Sequence, residues 1–142
     1  MNEQQREAAI SELNKHSPDI IKVVKSFFYT RDGKAVFENL KNSNDLDNMG
    51  KKQFRMLLSA AETASCADEL CLLIQYKAVK VSGWRNPGPD NKKLADRMIE
   101  CLGQIKTISD NICQKVKMGS PSDKEEVQRL ATVKFLGYVC WA

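Results

Sequence analysis

Apolar positions recur at three- and four-residue spacing along most of the chain, and no segment alternates apolar with polar residues as a half-buried strand would. The pattern predicts an all-α fold, a single-domain helical bundle of about five or six helices. A first helix is expected over about Asn2 to Lys15, using Ala9, Ile10 and Leu13. Ser17 followed by Pro18 reads as an N-cap with proline at the first helical position, opening a second helix that carries Ile20, Ile21, Val24, Phe27 and Phe28. Arg31-Asp32-Gly33 closes it. A short helical piece, KAVFENLK, follows, and the Asn- and Asp-rich run from Asn42 to Asn48 is a loop by its turn chemistry.

Past Gly50, the segment KKQFRMLLSAAETA sets Phe54, Leu57, Leu58 and Ala61 on one face, with Lys51 and Arg55 neighbouring each other at its side. Cys66 to Ser82 is apolar nearly all round. Leu70, Leu73, Ile74 and Val81 form one stripe and Leu72 and Val79 lie opposite, which predicts a helix central to the domain. Lys77 falls inside the first stripe. NPGPD forces a loop, because each proline disfavours helix at the residue before it.

Asp90 reads as the N-cap of the longest periodic run, Leu94, Met98, Cys101, Ile105, Ile108 and Ile112, expected to be helical from 91 to 117. Gly119 and Pro121 end it, and Ser122 with Glu125 three places later resembles a capping box. The last helix runs through Val127, Leu130, Ala131, Tyr138 and Trp141, with Lys134 in its stripe. No repeat or long linker divides the chain. Residues 1–48 supply N-terminal helices and 49–142 the core bundle of one domain.

Composition changes this picture little. At 142 residues, 42% hydrophobic and 28% charged, the chain is ordinary for a globular protein. Its N-terminus is polar and acidic, and no run approaches the roughly 20 apolar residues of a membrane span, so the reading is cytoplasmic, with no membrane partner. Cys66, Cys71, Cys101, Cys113 and Cys140 are odd in number and form no CxxC pair, as expected of reduced core thiols.

Candidate chemistry is sparse. His16 is the single histidine and sits beside a proline at a helix boundary. There is no glycine-rich phosphate loop, no HExxH and no ExxH pair, so no catalytic residue, cofactor or metal site is expected and the chain does not read as an enzyme. Trp84 and Trp141 read as core lids or interface anchors before base-stacking platforms.

The cations carry more information. The formal charge is +4, which permits a polyanionic partner without requiring one. Lys51, Lys52 and Arg55 cluster in one helix, Lys77, Lys80 and Arg85 follow along the next helix and its exit, and residues 70 to 89 contain no acid. Lys77 and Lys134 can snorkel, laying their stems on the core and taking the ammonium to water. An ammonium that reaches water past a packed helix reaches a phosphate equally well, so these six residues are the candidate nucleic-acid contacts.

Three local patterns then suggest a family. Gln53-Phe54-Arg55-Met56-Leu57-Leu58-Ser59 is similar to the "Q-I-R-x-L-L" helix of the small subunit of type III CRISPR–Cas effector complexes. Ile74 to Ala78 with Gly83-Trp84-Arg85 resembles that family's second helix, although its Gly-Arg pair is here split by Trp84, and ATVKFLGYVCW resembles the closing helix. The resemblance covers about residues 50 to 141. It implies a non-catalytic, all-helical subunit present in several copies beside repeated backbone subunits, contacting guide RNA and target RNA through their phosphates. A helical protein–protein adaptor anchored by its apolar faces and Trp141 is the alternative from composition alone. A DNA-binding regulator is a third, disfavoured by the lack of a helix–turn–helix with a polar recognition helix.

Overall fold

The structure, a computed structural model, describes residues 2–36, 51–64, 67–80, 82–85, 87 and 89–141. Among them are six α-helices and one 3-10 turn: α1 (Glu3–Lys15), α2 (Ser17–Phe28), α3 (Lys51–Thr63), α4 (Ala67–Lys80), the turn Ser82–Arg85, α5 (Leu94–Lys115) and α6 (Pro121–Trp141). No strand occurs among the described residues; two isolated bridges, Tyr29 with Ala35 and Pro87 with Lys93, close local turns.

Long-range polar contacts give the direction of each helix. Glu12 of α1 meets Lys115 at the end of α5 at 3.0 Å, while the Arg97 guanidinium near the start of α5 donates to the Ser26 carbonyl of α2 at 3.0 Å. Helices α1 and α2 thus follow each other along α5, antiparallel to it. Arg6 pairs with Glu126 at the start of α6 at 3.3 Å, and the Lys134 ammonium donates to Asn14 Oδ1 at 2.7 Å, so α1 and α6 run parallel. Arg129 donates to the Glu62 carbonyl at the end of α3 at 3.0 Å, which makes α3 antiparallel to α6. Helix α4 runs back along α3, since Trp84 just past its end meets Gln53 and Phe54 near the start of α3.

One core serves all six helices. Leu13, Ile20 and Phe27 from the N-terminal pair, Leu57, Leu70 and Ile74 from the α3–α4 hairpin, and Met98, Ile105, Phe135 and Leu136 from the long helices are buried in a single cluster. Trp84, also fully buried, closes it beneath the 3-10 turn. Buried hydroxyls return to their own helices: Ser109 donates to the Lys106 carbonyl and Thr132 to the Gln128 carbonyl, each at 2.8 Å.

Several boundaries differ from the sequence reading. Asn2, outside α1, forms a reciprocal cap with Gln5. His16, not Ser17, precedes the first residue of α2, and no side chain caps that helix. The expected helix KAVFENLK begins as a turn in which the Val36 amide donates to the Phe28 carbonyl at 2.8 Å. Its remainder and the loop 42–48 lie outside the described residues. Asp90 caps nothing, because Asn91 adopts a left-handed φ of 64° and delays α5 to Leu94. Helix α5 ends at Lys115, not 117, and its 22 residues span about 33 Å. There Lys117 takes φ 58°, its amide donates to Gln114 and that of Met118 donates to Cys113, the paired bonds of a Schellman ending. Helix α6 is capped by Ser120, whose hydroxyl accepts from the Asp123 amide at 3.2 Å, so the expected Ser122–Glu125 box does not set its start.

Helix α4 is not central. Leu72 and Val79 are 67% and 72% exposed, because among the described residues α4 lies at the edge of the bundle, with Leu70 and Ile74 on its buried side. Ile10 and Ile21 also face outward, and Glu12 and Val23 take the buried positions beside them.

Candidate nucleic-acid interface

The hairpin formed by α3 and α4 returns the end of α4 to the start of α3, and side chains fix that return. Trp84 Nε1 donates to Gln53 Oε1 at 3.3 Å, and the Trp84 and Phe54 rings meet edge to face at 6.3 Å. Phe54 also meets Phe27 at 5.8 Å and Phe28 at 6.3 Å, which joins the end of α2 to the same place. The last turn of α6 and the start of α5 arrive there through the antiparallel packing described above. One end of the bundle therefore gathers three helix C-termini (α2, α4, α6) and two N-termini (α3, α5), over a floor of buried aromatic rings.

Charge divides along the same axis. The segments that meet at this end, 25–34, 51–55 and 77–97, hold twelve Lys or Arg against three Asp. Those at the opposite end, 2–15, 62–69 and 110–126, hold ten Asp or Glu against five Lys or Arg. Among the described residues, a net charge of only +4 therefore goes with an uneven division of charge between the two ends.

The six candidate residues share this end. Lys51 begins α3, and its side chain lies outside the description. Lys52, Arg55 and Arg85 are exposed, and Lys77 is half-buried beside Leu70 and Ile74. Exposed Lys80 lies with its ammonium 5.9 Å from the centre of the Tyr76 ring. Among the described residues, none of Lys52, Arg55, Lys77, Lys80 and Arg85 has a carboxylate within ion-pair distance, whereas Arg6, Lys15, Lys92, Arg97, Lys115 and Arg129 all do. Half-buried Lys134 carries its ammonium to the surface, where it donates to Asn14 Oδ1 and lies 5.9 Å from the centre of the Tyr138 ring.

Helix dipoles explain part of this distribution. Lys77 and Lys80 lie in the last turn of α4, where cations complement the partial negative charge. Helix α3 is the reverse, with two lysines and no acid in its first turn, where the dipole disfavours cations by a few tenths of a kcal/mol each.

Sequence reasoning missed a second cluster at the same end. A cleft of about 600 Å³ is lined by four cations, Lys25, Arg31, Lys92 and Arg97, and three carboxylates, Asp32, Asp90 and Glu100, with Tyr29 at its border. Arg97, only 5% exposed, donates to the Ser26 carbonyl and to Asp90, and its Nε has no hydrogen-bond partner. Its guanidinium holds the Asp90 carboxyl below the usual carboxylate range. The available signal was Arg97 itself, an arginine inside the Leu94–Met98–Cys101 stripe with an acid seven residues earlier. Cys101, at the floor, is inert as a nucleophile because burial pushes its thiol up to about 11.

Among the described residues, no histidine stands at this end. His16 Nδ1 lies 3.0 Å from Asp19 Oδ2 at the α1–α2 junction. Among the described residues no three His, Cys, Asp or Glu side chains converge as metal ligands, and no helix is long and apolar enough to cross a membrane. No protein-family model, curated protein or solved structure matches the chain.

Proposed function

We propose that this chain is a non-catalytic RNA-binding subunit of an RNA-guided CRISPR effector complex, cytoplasmic, holding the phosphate backbones of guide RNA and target RNA with its basic end. The observation that carries the reading is the collection of cations at one end, including the first turn of α3 where the helix dipole opposes them. A backbone reader needs no base specificity, since the guide pairs with its target and the protein holds the geometry. The motif resemblance in residues 50 to 141 supplies the assembly: other effector subunits and further copies of the same chain as neighbours.

Titration of the full-length protein with single-stranded RNA at a series of salt concentrations tests it. Lys51, Lys52, Arg55, Lys77 and Lys80, as up to five contacts, should contribute at most about −3.5 to the slope of log affinity against log salt. The double variant Lys52→Glu, Arg55→Glu should weaken binding uniformly across sequences. Salt-independent binding, or binding indifferent to that double variant, would sink the reading.

One observation favours the adaptor reading instead. Leu72, Tyr76 and Val79 form an exposed stripe along the outer side of α4. If that stripe carries the function, Leu72→Glu with Val79→Glu abolishes partner capture and charge reversal on α3 leaves it intact.

A further inference from the structure

A second cleft, of about 540 Å³, adjoins the cationic one. Ile21, Val24, Phe28 and Tyr29 of the α2 side and Tyr138 and Trp141 of α6 line it, and among the described residues no carboxylate does. Lys25 and Tyr29 border both clefts, so the two are continuous around the end of α2. Each has the volume of an ordinary small-ligand site. One offers flat rings and the other four cations against three carboxylates.

We propose that the paired clefts hold one unpaired nucleotide of the bound RNA strand, its base against Tyr29, Tyr138 and Trp141 and its phosphate over Lys25 and Arg31. This deepens the RNA-binding reading and rests on it. Trp141 is 82% exposed and Tyr29 51%, an unusual state for large rings that border a common cleft. Tyr138 and Trp141 meet edge to face, centroids 5.6 Å apart, which leaves at least one face of each ring uncovered by the other. Stacking on such faces tolerates any base, because every base has a π-face.

Charge chooses the occupant. In the cationic cleft, Asp90 is engaged by Arg97, and Glu100 lies 2.7 Å from the Lys92 ammonium. That leaves Asp32 to set against Lys25 and Arg31, which have no ion-pair partner among the described residues. Arg97 adds an N–H without an acceptor. An apolar protein side chain would fill the aromatic cleft but leave these cations unanswered, whereas a nucleotide matches both halves with one rigid connection between base and phosphate. Reading the two tryptophans alike misses this, because Trp84 belongs to the core and Trp141 to the surface.

The test is fluorescence anisotropy of the full chain with two labelled 12-residue strands, one of oligouridylate and one an abasic ribose–phosphate chain. Trp141→Ala and Tyr29→Ala should each weaken binding to oligouridylate roughly tenfold, the effect of losing one stacked base. Both should leave the abasic strand and the salt slope unchanged, and Trp141→Phe should restore most of the loss. Lys25→Ala with Arg31→Ala should weaken both strands. If the two aromatic variants bind both strands as the native chain does while Lys52→Ala with Arg55→Ala weakens both, the nucleotide site is refuted and the phosphate-reading end stands. If the native chain binds neither strand, both proposals fall.

Discussion

Trp84 donates its indole N–H to the Gln53 side chain, and that bond joins the exit of α4 to the entrance of α3. The ring is fully buried against Phe54, so one residue supplies both the packing and the polar fastening of the basic end. Trp84→Ala should destabilise the fold by about 3–5 kcal/mol, as expected for a truncated core aromatic. Gln53→Leu, which strands the indole N–H, should cost about 1–3 kcal/mol. Urea unfolding followed by circular dichroism measures both; equal small losses would mean the turn is held elsewhere.

Arg97 and Asp90 give the fold an acid-sensitive link. The Asp90 carboxyl is held low by the hydrogen bond from Arg97, so this contribution is present above the ordinary carboxylate value near 4 and is lost as pH falls through the lowered one. Glu12, held low chiefly by Lys115, acts in the same window. Urea midpoints measured between pH 2 and 6 should therefore decline below about pH 4, and Asp90→Asn should flatten part of that decline. An unchanged slope would remove Asp90 from the account.

Neighbouring apolar positions on α4 should respond very differently to substitution. Ile74, fully buried, should cost about 2–5 kcal/mol on change to alanine. Leu72→Gln and Val79→Gln should each stay within about 0.5 kcal/mol of the native stability. Thermal melts of the three variants decide whether α4 lies at the edge of the bundle in solution.

Lys117 holds a left-handed conformation at the end of α5 that glycine adopts without cost. Lys117→Gly should stabilise the protein by about 1 kcal/mol, raising Tm by a few degrees. A loss of stability would show that the Schellman ending is not formed.

Much of the fold was legible because helices announce themselves locally. Leu94, Met98, Cys101, Ile105 and Ile112 of the expected stripe are buried as their spacing predicts, while Ile108 is only partly buried and Ser109 takes the buried place beside it. Caps were less legible: Asn91 turns left-handed for reasons of the preceding loop, and that single φ moved the start of α5 by three residues and freed Asp90 to pair with Arg97. Leu72 and Val79 were misread because an apolar residue does not reveal whether another element covers it. The six candidate cations could be listed from sequence, but their gathering at one end follows from the direction of the α3–α4 hairpin. Lys25 and Tyr29 were invisible as a group with Trp141, since they join it only when α2 and α6 finish side by side, and Arg31 shares their other cleft.

The separation of basic and acidic ends also governs how the molecule meets its surroundings. A bundle with opposite poles experiences a torque in the field of a long anion and turns before contact, so a larger share of collisions begins with the correct pole leading. Salt that shortens the reach of that field should slow capture even where the finished complex changes little.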